Sequence, residues 1–219
     1  MELLERKGVI LSLHYLPSIE YFAFLSQSPE VLIDICEHYD KQSYRNRCQI
    51  LTANKVLDLS VPILKANKKQ AMKDVCIDYS HKWVKDHWRA ICSAYGKAPF
   101  FEYYIDYLER SFAKSHKYLI DLNTELLTIC LDILGISKKY QLSESYLEEG
   151  NSYIDLRNQL HPKKNNDFDR RFDIPSYNQV FGKGFVANLS IIDILFCEGP
   201  NTYSLINRAK AKSFATSFE

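Results

Sequence analysis

Two short apolar runs near the start of the chain, residues 9–13 and 31–35, constrain its fold more than any other feature. Both are rich in β-branched residues and apolar on both faces, which suits strands buried from two sides. Between them, PSIEYFAFLSQ opens on a proline and places Ile19, Phe22, Phe24 and Leu25 at positions that suit one face of a helix. A connection of that length joins parallel strands, since antiparallel neighbours need only a tight turn. Its crossover is then right-handed almost by necessity. The chain is therefore expected to be α/β, a mixed sheet with an N-terminal strand-helix-strand unit and helices packed on it.

A hairpin is the next element. In RCQILTANKVLDLSVPI, a turn at Asn54-Lys55 with Ala53 opposite Val56 puts Cys48, Ile50 and Thr52 on one face with Leu57, Leu59 and Val61. Arg45, Arg47, Gln49, Asp58 and Ser60 take the other, polar face. Lysine is a poor second residue for a type I′ turn, so a longer loop stays open as an alternative. Beyond a lysine-rich connection, VCIDY reads as a further short strand.

The middle of the chain is helical. Trp83, His87, Ala90, Ile91 and Ala94 share one side of a helix, with Lys82, Lys85, Asp86, Arg89 and Ser93 opposite. Gly96 is the expected stop and Pro99 the restart. A later helix runs to Leu134, where Gly135 ends it. Asn123 either caps its start or lies inside one longer helix. After a weak strand in KKYQLSES, DLRNQL reads as helix as far as Pro162, and KKNNDFDRR as a mobile loop. Ser190 and Asp193 form a capping-box pair for a final helix stopped by Gly-Pro. One domain is expected, sheet-rich over 1–80, helical over 81–135 and mixed over 136–207, with a mobile tail at 208–219.

Composition excludes several function classes. A net charge of +1 gives no global field to attract nucleic acid or an anionic membrane, so an anionic ligand needs a local cluster. The six cysteines include no Cys-x-x-Cys pair, which leaves no zinc knuckle and no redox motif. No stretch approaches the ~18 apolar residues that cross a bilayer, and the first sixteen residues lack a signal peptide's long apolar region. A cytoplasmic location follows as the expectation. Walker, GxGxxG, HExxH and GxSxG motifs are missing from the sequence, and no cofactor or metal is expected.

A few residues stand out chemically. Asp34 interrupts an apolar run where an unpaired carboxylate is costly, and with Glu37 and His38 it falls near the carboxyl end of a strand, where α/β sheets bind ligands. Arg45 and Arg47, beside Tyr44, have the forked geometry that holds phosphate or carboxylate. His87 lies on the apolar side of its helix and is either a core residue or a base. Arg89 lies on the far side of that helix from Trp83. Tyr95, at a helix break before Gly96, is a candidate pocket rim, and Lys163 in HPKK a candidate contact to an anion.

The order of YLPSIEYF, QSYRNRCQI, LSVPI, IDYSHKWVKDHWRAICSAYGKAPFFEYY, HPKK, YNQVF and NLSIIDILFCEGP resembles the WbqC-like protein family over nearly residues 8–205. Seven segments in register are specific, although none is diagnostic alone. The resemblance implies a role in bacterial surface-polysaccharide (O-antigen-type) biosynthesis, with acyl or aminoacyl transfer to a nucleotide-activated amino sugar as the implied transferase reaction. Carried over, the family's pattern falls on Asp34, on Tyr44, Arg45, Asn46 and Arg47, on His87, Trp88 and Arg89, and on Ala94, Tyr95, Pro99, Phe100 and Phe101. The chain departs from it at His14, where a small residue or glutamine is the pattern, and at Asn54-Lys55 in place of Asn-Gly.

On this reading Arg45, Arg47 and Lys163 hold phosphates, Tyr44 and Tyr95 line the sugar or base, and His87 or Asp34 takes the proton from the attacking amine. The expected partners are a sugar nucleotide and an acyl donor. A non-catalytic sugar-nucleotide sensor or scaffold of the same pathway is the alternative. Recognition of single-stranded RNA is the least favoured, given the near-neutral charge.

Overall fold

The structure is a computed structural model that describes residues 8–65, 70–136, 140–148, 152–165 and 170–212. The first strand, β1 (Gly8–Ser12), is buried along its whole length and lies at the centre of the main sheet. Through α1 (Ile19–Gln27) the chain reaches β2 (Val31–Asp34), which pairs parallel to β1 with Val9 opposite Val31 and Ser12 opposite Asp34. This is the strand-helix-strand unit that the two apolar runs predict. Helix α1 is buried from Ile19 to Leu25 because it packs between the sheet and two later helices.

The hairpin follows as β3 (Arg47–Leu51) and β4 (Val56–Ser60). Its register differs from the expected one: Cys48 opposes Leu59 and Ile50 opposes Leu57, with Thr52 bonded back to Lys55 around Ala53 and Asn54. The slip is by two residues, an even number, so every side chain keeps its predicted face. Residues 75–79 form no ladder. Their backbone groups are divided between two irregular segments, with Leu64 and Asp78 bonding on one side and Lys117 and Leu119 on the other.

Three helices then pack on one another: α2 (Trp83–Tyr95), α3 (Phe101–Phe112) and α4 (Leu119–Leu134). Gly96 caps α2, and Gly135 stops α4 with a left-handed φ of 64°. Helix α4 is the longer of the two alternatives. Asn123 lies inside it, fully buried, and donates from its side chain to the Arg45 carbonyl at 2.8 Å.

Two more strands complete the parallel sheet, β5 (Tyr140–Leu142) beside β2 and β6 (Tyr153–Asp155) on the other side of β1. The order is β5-β2-β1-β6. The helix expected in DLRNQL is absent. Leu156 extends the strand pairing by donating to the Ile10 carbonyl, and the Arg157 amide bonds to the Asp155 carboxylate, so long-range pairing overrides the helical pattern.

The chain ends through β7 (Phe172–Asp173), α5 (Ile191–Glu198), α6 (Thr202–Arg208) and β8 (Lys210–Ala211), the last pairing antiparallel to β7. The expected tail thus begins in α6 and β8; residues 213–219, and 166–169 of the expected loop, lie outside the described residues. Ser190 and Asp193 do not form a capping box. The Ser190 hydroxyl donates to the Leu16 carbonyl, and Asp193 turns inward to Tyr95, Tyr177 and Gln179.

Gly199 is required where α5 ends. It has φ 51° and ψ −124°, and a Cβ there would lie 2.4 Å from the Phe100 ring. Gly199→Ala combines backbone strain with overpacking and is expected to lower the unfolding free energy by roughly 2–4 kcal/mol, read from urea midpoints at unchanged slope.

Candidate active site

The carboxyl ends of β1, β2 and β6 carry a buried network of charges. Asp34, the last residue of β2, is fully buried and accepts from the Cys36 and Glu37 amides, from the Ser143 hydroxyl at 2.8 Å and from Arg157 Nη1 at 2.6 Å. Beyond the end of β6, Arg157 also grips Asp155 through Nε and Nη2. The Arg157 carbonyl accepts from the Ser12 hydroxyl at 3.0 Å, which ties β1 to the same point.

Arg45 lies just before β3 and forks onto Glu37, Nε to Oε1 at 2.8 Å and Nη2 to Oε2 at 2.5 Å. Burial pushes the Glu37 carboxyl above its usual range, with Arg45 opposing that rise. Burial would raise Asp155 as well, but the hydrogen bonds and charge of Arg157 win and hold it low. Over this network lies Tyr146, its ring 5.1 Å from the Arg157 guanidinium and 6.1 Å from the stacked His38 ring.

His14 sits two residues past β1 and is 1% exposed, and neither ring nitrogen has a hydrogen-bond partner among the described residues. Its ring lies 4.9 Å from Tyr21 and 5.6 Å from Tyr44. Burial first, and then the charges of Arg45 and His161, hold its pKa well below the usual histidine value.

From Tyr44 the polar contacts lead outward. The Tyr44 hydroxyl donates to Gln49 Oε1 at 3.2 Å, and Asn165 donates to the same oxygen at 3.0 Å. Gln49 and Asn165 line a groove of about 570 Å³, with Pro162, Arg170, Phe185 and Val186 among its other walls. Asn188 braces the floor by donating to Asn165 and to the buried Glu20. The wall is folded on itself: Gln179 bonds both the amide and the carbonyl of Val186, and donates to Asp193 beside Tyr177.

This arrangement can be set against known proteins. The sequence model of the WbqC-like protein family matches residues 13–167 and 165–205. The chain belongs to that family. It is also 29% identical, over 89% of its length and 94% of the relative's, to the uncharacterized protein Rv1507c of Mycobacterium tuberculosis. No solved structure matches. Among the described residues, no helix of this WbqC-like chain is long and apolar enough to cross a membrane, and no group of three or more His, Cys, Asp or Glu side chains is placed to hold a metal ion.

Of the residues singled out from the sequence and the family pattern, Asp34, Tyr44 and Arg45 come together at the sheet edge or beside it. Lys163 is exposed next to Pro162 on the groove. Arg47 is half-buried and 3.8 Å from Asp58 across the hairpin, so it does not share the environment of Arg45. His87 lies in the core, Nδ1 2.9 Å from the Tyr15 hydroxyl and its ring against Trp83. Arg89 is exposed on the outer side of α2, and the Tyr95 hydroxyl is buried, donating to Asp193 at 2.9 Å. His87, Arg89 and Tyr95 make none of the cluster's contacts.

Sequence reasoning missed Arg157, because DLRNQL reads as a helix, which gives no sign of a partner at the end of β2. It registered His14 only as a departure from the family pattern.

Two outcomes follow for this network. Removing the Asp34 carboxylate leaves Arg157 half-paired and two amides unsatisfied, so Asp34→Ala is expected to cost about 3–5 kcal/mol in a denaturant titration. His87 is pulled by burial from 6.5 to about 4. A histidine lowered on folding contributes stability that is full above its unfolded pKa and is lost as pH falls toward the folded one. The stability difference between wild type and His87→Gln is thus expected to shrink between pH 7 and 4, by on the order of 3 kcal/mol. Glu20, Glu37 and Asp193, raised by burial, run the opposite way in both proteins and cancel in that difference.

Proposed function

We propose that the protein binds a nucleotide-activated amino sugar in the groove beside Tyr44 and transfers an acyl or aminoacyl group to the sugar's amine. The observation that carries this reading is the groove's composition. Amide and cationic side chains, Gln49, Asn165 and Arg170, line it together with Phe185, Val56 and Ile174, and its volume of about 570 Å³ is typical of small-molecule sites. The polar groups suit sugar hydroxyls and phosphate, and the apolar groups suit a base. Lys163, exposed beside Pro162, adds a cation at the rim.

In this reading the charged network positions the site. Asp34 holds Arg157 and Ser143, and Glu37 holds Arg45, whose backbone carbonyl is fixed by Asn123. His87 and Tyr95 brace the loop after β1 and the groove wall. Arg47 stays on the hairpin beside Asp58, and Arg89 stays at the surface.

Non-catalytic binding of the same ligand, as a sensor or scaffold of surface-polysaccharide synthesis, is the second reading. It is favoured by the engagement of Asp34, Glu37 and Asp155 with arginines, which leaves none of these carboxylates free to take a proton.

Thermal unfolding with UDP-, dTDP- and GDP-linked amino sugars tests both readings. A ligand at ~100 times its dissociation constant is expected to stabilise by about 2.7 kcal/mol, and Gln49→Ala is expected to reduce that shift. Transfer of a labelled acyl group to the ligand that binds separates enzyme from binder. A folded protein that responds to none of these ligands would remove the sugar-nucleotide site.

A further inference from the structure

The strand order singles out one position at the sheet edge. From β1 the chain steps to β2 and then to β5 on one side, and only afterwards reaches β6 on the other side of β1. The order reverses between β1 and β6. In open α/β sheets ligands collect outside the carboxyl ends of the strands at such a reversal, where the diverging connections leave a crevice.

His14 follows β1 by two residues and Arg157 follows β6 by two. Arg157 is fully engaged with Asp34 and Asp155. His14 is not engaged at all: its two ring nitrogens are buried and unpartnered among the described residues. A buried polar group left in that state costs stability, and the other buried histidine of the core, His87, is bonded to Tyr15. The backbone beside it is strained as well, with Leu16 at φ 42° although it is not glycine. Strain of this kind gathers at ligand sites. Tyr44, which touches the His14 ring, is also the residue whose hydroxyl reaches the groove through Gln49.

We infer that His14 is the ligand-contacting residue of the β1–β6 crevice, its imidazole accepting a hydrogen bond from an uncharged amine of the substrate. The neutral amine is the nucleophilic form, and it meets the buried imidazole without bringing an uncompensated charge out of water. The inference rests on the acyl-transfer reading for the identity of the amine and names the residue that meets it.

In protein labelled with ¹⁵N in histidine, the resonances missing from His14→Gln identify the His14 ring. Titration with glucosamine, and separately with the three classes of nucleotide-linked amino sugar, is expected to move the basic nitrogen of that ring more than those of the other histidines. His14→Gln is expected to weaken binding about tenfold, roughly the worth of one hydrogen bond. If a nucleotide sugar stabilises the protein while the His14 ring stays still, the inference fails and the groove reading stands. Movement with glucosamine but no stabilisation by any nucleotide sugar would support His14 and sink the groove reading. No response to any probe overturns both.

A ligand-free arm checks the same point. His14→Leu and His14→Phe bracket the ring's volume and remove its unpaired nitrogens, so at least one is expected to melt above wild type. If both melt several degrees lower, the ring is a structural residue and the inference is wrong.

Discussion

The contact between Asp34 and Arg157 joins parts of this molecule that lie 123 positions apart in sequence. Asp34 ends β2, Arg157 follows β6, and β1 lies between them, held to the same point through Ser12. Pairing two buried charges is not in itself a strong source of stability, because desolvation consumes most of the attraction. What the pair supplies is specificity. A one-residue slip of β2 or β6 against β1 would leave a carboxylate and a guanidinium buried without partners, a cost of several kcal/mol. The pair therefore fixes the register of three strands, and with it the position of every loop leaving their carboxyl ends.

Arg45 and Glu37 repeat the device one layer out. Their bidentate contact fixes the segment between β2 and the hairpin, and Asn123 connects that segment to the middle of α4. The helical layer is thus joined to the sheet edge by polar bonds as well as by packing. Around His14 the arrangement is different, since the neighbours of its ring are rigid and bonded elsewhere: Tyr21 to the Ser12 carbonyl, Tyr44 to Gln49. A site assembled from braced neighbours and one unbraced group has its geometry set before a ligand arrives.

How much of this was legible in the sequence depended on distance along the chain. The strand-helix-strand unit was, because its signals are local runs and spacings. The hairpin was legible in its faces but not in its register, since Ala53, Asn54 and Lys55 hold no glycine to pin the turn. Asp34 could be flagged from the cost of a carboxylate in an apolar run. Its partner could not, because Arg157 lies 123 positions away in a stretch whose own pattern reads as helix. His14 showed only through its residue type, since nothing in one sequence reveals that a buried histidine lacks a bond.

The Asp193 carboxylate, reached by Tyr95 from α2 and by Tyr177 and Gln179 from the groove wall, joins groups 98 positions apart around one buried anion. The wall beyond it carries Phe185 and Val186, which face the groove. The width of the groove is accordingly a property of the helical layer as well as of its own lining. If the groove binds the proposed ligand, exchanges on α2 or α5 that never touch it would alter what fits, and a comparison restricted to lining residues would not find their source.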